Sequence, residues 1–238
     1  MSDLHWDNPH CDRGLLKNHL DEAVKRNAAI ILNGDTYCCM GGKYDRRADK
    51  SLIRPEHNTD RYFDAIVDTS VEWFAPYAKN ILLIGYGNHE TAIIKHGETD
   101  LLQRFASTLN YATGSAVQVG GYGGTIDIRV LHDTIRGVNF VVHYYHGFGG
   151  GGVVSKGVIQ DQRLLAGTEG YDLTWMGPST NYTTTKTWFT AMTAQPKPSF
   201  KNLFTNFVRL LTRKNGTEAT WAFILSEEEA RSLWEAIG

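Results

Sequence analysis

Long apolar runs and a strong excess of either charge are both missing from this sequence. No window approaches the roughly 18 consecutive apolar residues of a membrane-spanning helix. The N-terminus also lacks a basic stretch followed by an apolar one, so we predict no secretory signal. A formal net charge of −2 gives no general attraction to nucleic acid or to anionic lipid. We therefore expect a cytoplasmic protein that does not bind membranes.

Cysteine is also scarce, since the chain contains only Cys11, Cys38 and Cys39. An odd number of cysteines in a chain of this length does not indicate a disulfide framework, and the adjacent pair lacks the spacing of a zinc or redox motif. We therefore expect reduced thiols and assign the three cysteines no functional role.

The chain is long enough and apolar enough to bury a core. With 238 residues, of which 42% are hydrophobic and 11% aromatic, it fits one globular domain. We assign residues 1–195 to this domain, and we expect residues 196–238 to form a helical extension that packs on it.

The first half of the chain has the pattern of an α/β fold. Short apolar segments at 28–32 and 80–84 predict buried strands, and helical spacing of apolar residues over 12–27 and 61–79 predicts a helix before each strand. The order strand, helix, strand predicts a parallel pair. Residues 36–60 break this pattern, and we interpret them as an inserted loop over the site.

The second half of the chain changes character. Segments 117–119, 125–130 and 138–142 resemble strands separated by Gly or Asp turns, and a further strand is expected near 172–176. These strands predict a second sheet that packs against the first.

Polar side chains with oxygen or imidazole donors occur at the ends of the apolar segments. Asp3 and His5 lie near the start of the chain, Asp35 follows the first predicted strand, and Asn88 follows the second. The carboxyl ends of neighbouring parallel strands are where open α/β sheets bind ligands. A later strand ends near His143 and His146, which lie on opposite faces of extended backbone, so only one of them would point at the same place.

This mixture of donors predicts a metal centre. Carboxylate, amide and imidazole groups together suit Mn, Fe or Zn better than Ca, which prefers oxygen alone. One carboxylate can bridge two ions about 3.5–4 Å apart, which polarise a phosphoryl group and generate hydroxide for in-line attack. Asp35 is the candidate bridge. His89 follows Asn88 directly and could protonate the leaving group, since an unperturbed histidine titrates near pH 6.5. We expect the next residue, Glu90, to be a structural hydrogen-bond partner.

Four motifs occur in order over residues 2–182, namely D-x-H, G-D, G-N-H-E and a later histidine. In this respect the chain resembles the calcineurin-like metallophosphoesterase family, most closely its bacterial and phage-borne members. The resemblance implies a four-layer α/β/β/α sandwich of two mixed sheets flanked by helices. It also implies a role for each candidate ligand. Asp3 and His5 would hold the first metal, and Asp35 would bridge the two metals. Asn88 and His146, or alternatively His143, would hold the second metal, and His89 would be the acid.

The chain departs from the family pattern in two places. Where the family has G-H-x-H, Pro178 and Thr180 replace the histidines, so that each metal loses one imidazole. The strand that delivers D-x-H is also missing, because only two residues precede Asp3. We therefore expect Asp3 and His5 to lie on a terminus that frays.

These observations predict a metal-dependent hydrolase that cleaves phosphomonoesters or phosphodiesters, with Mn as the favoured cation at two sites. The substrate would be a nucleotide, a nucleic acid or a phosphoprotein, contacted by Asn88, His89 and the basic side chains of Arg46 and Arg47. One alternative is a family member with weak or no activity that acts as a binding protein, which the loss of both histidines favours. Another is a phage-type nuclease that grips DNA with the basic insertion.

Overall fold

The computed structural model of the protein describes residues 1–42, 48–131, 137–147 and 170–177. In these residues the chain has a mixed α/β fold with two small sheets and helices, which confirms the predicted class. They divide into two compact units, the first ending at Tyr122 and the second beginning at Gly123. Two predicted site residues, Arg46 and Arg47, lie outside the described residues. So do Pro178 and Thr180, which replace the family's histidines, and the predicted extension at 196–238.

The first unit is built on a parallel sheet in the order β1-β2-β3. Its strands are β1 (Ile30–Asn33), β2 (Ile81–Gly85) and β3 (Gln118–Val119). Asn33 lies opposite Gly85, so the carboxyl ends of β1 and β2 meet at one edge of the sheet. The parallel pairing predicted from the order of strand, helix and strand is confirmed.

Four α-helices lie before and between these strands along the chain. They are α1 (Arg13–Lys25), α2 (Tyr62–Phe74), α3 (Asn88–Gly97) and α4 (Leu101–Thr113). The predicted α1 and α2 are confirmed with slightly shorter bounds, whereas α3 and α4 were not predicted. None of the helices in the described part of the chain has both the length and the apolar character needed to cross a bilayer.

The unpredicted helix α4 follows ordinary helix rules. The Asp100 side chain accepts a hydrogen bond from the backbone N–H of Gln103, which caps the first turn. Gly114 ends the helix in the left-handed conformation, with φ of +65°. The side chains that α4 buries recur at helical spacing, as Leu101, Leu102, Phe105, Ala106 and Leu109. The signal for this helix was therefore present in the sequence.

The core of the first unit combines aliphatic strand residues with aromatic helix residues. Phe74 of α2 and Phe105 of α4 are both fully buried, and their ring centroids lie 5.5 Å apart in an edge-to-face arrangement. Tyr37, from the loop after β1, contacts the Phe105 ring at 5.9 Å. The loop that carries Asp35 is thus anchored in the core rather than on the surface.

The start of the chain is held against β1, contrary to the expectation that it frays. The amino group of Met1 donates a hydrogen bond to the Ile31 carbonyl at 2.7 Å, and the Met1 carbonyl accepts one from the Asn33 N–H at 2.7 Å. This is the hydrogen-bond pattern of a parallel strand pair. Asp3 and His5 therefore lie on a segment that is fixed by backbone hydrogen bonds.

The second unit contains a mixed sheet in the order β4-β5-β6. Its strands are β4 (Gly123–Leu131), β5 (Gly137–Tyr145) and β6 (Leu173–Met176). β4 pairs with β5 in antiparallel fashion, and β5 pairs with β6 in parallel. The predicted strands 125–130, 138–142 and 172–176 are confirmed in this sheet, with β4 and β5 longer than predicted. The assignment of 117–119 to the second sheet is wrong, because this segment contains β3, whose backbone pairs with β2 in the first sheet.

A buried hydroxyl pair offers a test of how the loop after β1 is anchored to α2. The Tyr37 and Ser70 hydroxyls lie 2.6 Å apart, and the Ser70 hydroxyl donates to the Val67 carbonyl, so Tyr37 is the donor of the pair. Because Tyr37→Phe leaves Ser70 with a partner, we expect it to cost about 1 kcal/mol of unfolding free energy. Ser70→Ala leaves a buried Tyr37 hydroxyl without an acceptor and should cost more, up to about 3 kcal/mol.

Urea denaturation of both variants and of the double variant measures these costs. We expect the double variant to be less destabilised than the sum of the two single variants. A Ser70→Ala variant no less stable than Tyr37→Phe would contradict this arrangement.

Candidate metal centre

The Asp35 carboxylate lies at the amino end of α3. Asp35 comes two residues after the end of β1 and is 3% exposed. Its Oδ1 accepts a hydrogen bond from the backbone N–H of His89 at 2.9 Å. This N–H belongs to the first turn of α3, where the helix dipole favours a negative charge. The predicted meeting of Asp35 with the Asn88-His89 segment at the sheet edge is therefore observed.

A second buried carboxylate, that of Glu90, joins the two loops of the site. It accepts backbone hydrogen bonds from Asp35 at 3.1 Å, from Tyr37 at 2.9 Å and from Gly87 at 2.9 Å. The expected structural role of Glu90 agrees with these contacts. Burial, and secondarily the nearby Asp35 carboxylate, raise the pKa of Glu90 to about 8. Burial of the charged Glu90 carboxylate is therefore unfavourable, and three backbone N–H donors from the two loops offset this cost.

Gly87 allows the close approach of these loops. A Cβ atom at this position would lie 2.1 Å from Oδ1 of Asp35 and 2.4 Å from its backbone nitrogen. No side chain fits into this space, because one of the atoms in the way is backbone. The position before Asn88 must therefore be glycine if the Asp35 carboxylate is to occupy this place.

Asp3 and His5 approach Asp35 from the first residues of the chain. The backbone N–H of Asp3 donates to the Gly34 carbonyl at 3.1 Å, and that of His5 donates to the Asp35 carbonyl at 3.0 Å. A carboxylate oxygen of Asp3 lies within 4.8 Å of one of Asp35. Two carboxylates this close repel each other unless a proton or a cation lies nearby.

The backbone of these three residues is strained. Asp3, His5 and Asp35 all adopt the left-handed conformation, with φ of +53°, +43° and +49°. Non-glycine residues in this region cost of order 1–3 kcal/mol and are concentrated at functional sites. The strain thus coincides with the residues that the sequence motifs predict to be metal ligands.

Nitrogen and sulfur donors lie beside the carboxylates. His5, Cys38 and His89 bring two ring nitrogens and one Sγ within 4.8 Å of one another. The Nδ1 atom of His5 is buried and has no hydrogen-bond partner among the described residues. The rings of His5 and His89 meet edge to face, with centroids 4.9 Å apart. A buried nitrogen without a partner, beside a second imidazole and a thiol, calls for an explanation, and a bound cation is one.

His89 has a defined orientation. Its Nδ1 lies 2.8 Å from the Cys38 carbonyl oxygen, which can only accept, so Nδ1 carries a proton. Nε2 then faces Asp35, 4.0 Å from its Oδ2. The His89 side chain is 12% exposed.

The structure thus brings together four of the predicted site residues, Asp3, His5, Asp35 and His89. Asn88, at the first position of α3, is exposed beside them. Sequence reasoning missed Cys38, although its place in the same post-strand loop as Asp35 was a usable signal.

The two remaining candidate ligands belong to the second unit. His143 lies in β5, half-buried, and burial lowers its pKa. Its ring contacts Tyr171 at 4.9 Å. His146 lies just beyond β5 and is 4% exposed. Their predicted metal roles stay predictions.

Neither a protein-family model, nor a curated protein, nor a solved structure matches this chain. A function is therefore inferred from the geometry of the side chains and from the sequence motifs.

Gly87→Ala tests the packing at the centre. Its Cβ would overlap Asp35, so we expect a displaced loop, weaker divalent-cation binding and a loss of unfolding free energy of about 1–3 kcal/mol. The matched control is Gly97→Ala at the other end of α3, where the nearest atoms to the new Cβ are 3.7 Å away. This control should be neutral or slightly stabilising.

Thermal denaturation and isothermal titration with Mn compare the two variants. Equal behaviour of Gly87→Ala and Gly97→Ala in both measurements would show that the contact between Gly87 and Asp35 is not required.

Proposed function

We propose that this chain is a metal-dependent phosphoesterase that hydrolyses phosphomonoesters or phosphodiesters. The proposal includes the four-layer α/β/β/α sandwich and the cytoplasmic location that its sequence motifs imply. The single observation that carries it is the buried Asp35 carboxylate, held at the amino end of α3 and within 4.8 Å of the Asp3 carboxylate.

The residues present fit a divalent cation. Asp3 and Asp35 offer carboxylate oxygens, and His5 offers a buried nitrogen that has no partner among the described residues. In the proposal Asp3, His5 and Asp35 hold one ion, while Asp35 and Asn88 contribute to a second. Oxygen donors with few nitrogens favour Mn, with Fe or Zn as the other candidates. When bound, such ions would polarise the phosphoryl oxygens and lower the pKa of water.

His89 acts as the proton donor to the leaving oxygen. The bond from Nδ1 to the Cys38 carbonyl sets the ring orientation, so that Nε2 is the nitrogen that gains and loses the proton. Asp35, 4.0 Å away, stabilises the protonated ring. A poor leaving group gains most from such an acid, because an alkoxide is otherwise a costly product.

The proposed substrate is a nucleotide, a nucleic acid or a phosphoprotein. Asn88 and His89 would contact its phosphoryl group from the first turn of α3, and Arg46 and Arg47 would add positive charge. A second candidate function is that of a binding protein without turnover. The replacement of both expected histidines by Pro178 and Thr180 favours it.

Asp35→Asn tests the role of the shared carboxylate. The amide keeps an oxygen to accept the His89 N–H but loses the charge. We therefore expect Mn-dependent hydrolysis of an aryl phosphate monoester and diester to fall by at least ~100-fold, since even outer-shell partners of metal ligands are worth 10–100-fold. Asp68→Asn, on the exposed face of α2, is the control and should keep full activity.

Steady-state rates and metal content decide between the two candidate functions. Turnover and bound Mn in the native protein, both reduced in Asp35→Asn, support the enzyme. Tight substrate binding with no turnover at any Mn concentration would favour the binding protein.

His89→Gln tests the proton donor. We expect an alkyl phosphate to lose about 10²–10⁴-fold in rate. A nitrophenyl phosphate should lose much less, because its leaving group needs no proton. His96→Gln, exposed near the end of the same helix, is the control and should change neither rate. Equal losses on both substrates would exclude His89 as the acid.

A further inference from the structure

The thiol of Cys38 has no part in the proposed phosphoester chemistry, yet it lies among the site's histidines. Its Sγ, one nitrogen of His5 and one of His89 are all within 4.8 Å of one another. Cys38 is 4% exposed, so the sulfur belongs to the interior of the site. The cluster therefore has a chemistry different from that of the neighbouring carboxylates.

The spacing of these donors suits a tetrahedral ion. Zinc binds sulfur at about 2.3 Å and imidazole nitrogen at about 2.0–2.1 Å, which places tetrahedral donors about 3.3–3.6 Å apart. The observed upper limit of 4.8 Å requires a contraction of at most about 1.2–1.5 Å, which side-chain rotation can supply. Three protein ligands with an open fourth position are also the usual number at a reactive zinc site.

Neighbouring groups orient two of the three donors. Nδ1 of His89 donates to the Cys38 carbonyl, an arrangement in which metal-binding histidines commonly hold the nitrogen that does not bind metal. The Asn8 side-chain amide donates to Sγ of Cys38 at 3.3 Å, which stabilises a thiolate. The Asp7 carboxylate fixes the same loop by accepting the backbone N–H groups of Cys38 and Cys39.

The third donor residue, His5, is held by its backbone and has an unused nitrogen. The backbone N–H of His5 donates to the Asp35 carbonyl, while the ring nitrogen Nδ1 is buried without a partner among the described residues. A cation would satisfy the ring without any movement of the backbone.

We propose that His5, Cys38 and His89 form a binding site for zinc, which shares His5 with the proposed carboxylate site but differs from it in Cys38 and His89. Two imidazoles and a thiolate select a thiophilic ion and discriminate against Mn, Mg and Ca. Zinc in this position binds Nε2 of His89, because Nδ1 is engaged by a carbonyl. The same nitrogen is the proton donor of the proposed phosphoesterase, so zinc would inhibit the Mn-dependent reaction. This inhibitory consequence rests on the proposed function, whereas the site itself does not.

X-ray absorption on the full-length protein loaded with one equivalent of zinc tests the site directly. We expect one sulfur at about 2.3 Å from the metal, with nitrogen or oxygen for the remaining ligands. Substitution by cobalt should give a thiolate-to-metal charge-transfer band. Cys38→Ala should lose the sulfur signal and bind zinc at least ~10-fold more weakly. Cys39→Ala removes a sulfur from the next, equally buried position and should keep both properties.

The outcomes separate this inference from the proposed function. Zinc coordinated by nitrogen and oxygen alone in the native protein would overturn the inference, whether or not Cys38→Ala folds. A sulfur signal that persists in Cys38→Ala would overturn it too. Hydrolysis is measured separately in Mn, as the ratio of rates with and without added zinc. We expect zinc to lower the rate of the native chain, and the fold inhibition of Cys38→Ala should be at least tenfold smaller. Sulfur coordination without any hydrolysis in Mn would refute the phosphoesterase but keep the zinc site.

Discussion

The buried carboxylate of Glu90 is the constraint on which the candidate site depends. It accepts N–H groups from Asp35 and Tyr37 in the loop after β1 and from Gly87 before α3, and so joins segments that are far apart in the sequence. An unsatisfied buried donor costs about 1–3 kcal/mol, so the two loops are stable in this arrangement only when the carboxylate is present. The missing side chain of Gly87 makes the contact possible, and the Asp35 carboxylate then meets the amino end of α3.

This arrangement places two kinds of metal donor at one sheet edge. Asp3 and Asp35 offer oxygen, while His5, Cys38 and His89 offer nitrogen and sulfur. Oxygen donors suit Mn and thiolate suits Zn, so in our two proposals the two sets bind different cations. Because His5 and His89 serve both the proposed chemistry and the proposed zinc site, the identity of the cation would decide whether a proton donor is present. The strained backbone at Asp3, His5 and Asp35 is consistent with a site selected for its geometry rather than for stability.

Much of the fold could be predicted because its signals are local. The apolar segments gave β1 and β2, and helical periodicity gave α1 and α2, with bounds that agree to within a few residues except at the end of α2. The periodicity of α4 is equally clear in the sequence, so this helix was predictable from local signals as well. The fraying expected of the first residues was wrong for a physical reason, since Met1 pairs with β1 through hydrogen bonds that no local pattern encodes.

The candidate site shows where sequence and tertiary structure divide. The sequence by itself determined the order of α1, β1, α2 and β2 and the chemical types of residue at the strand ends, because composition and periodicity act over a few neighbouring residues. It also identified Asp35 and His89 as candidates. Only the tertiary structure decided that Cys38 joins His5 and His89, that Glu90 holds the loops, and that Gly87 admits the Asp35 carboxylate. These contacts join segments that lie far apart in the sequence, and the packing of the whole unit decides which of them meet.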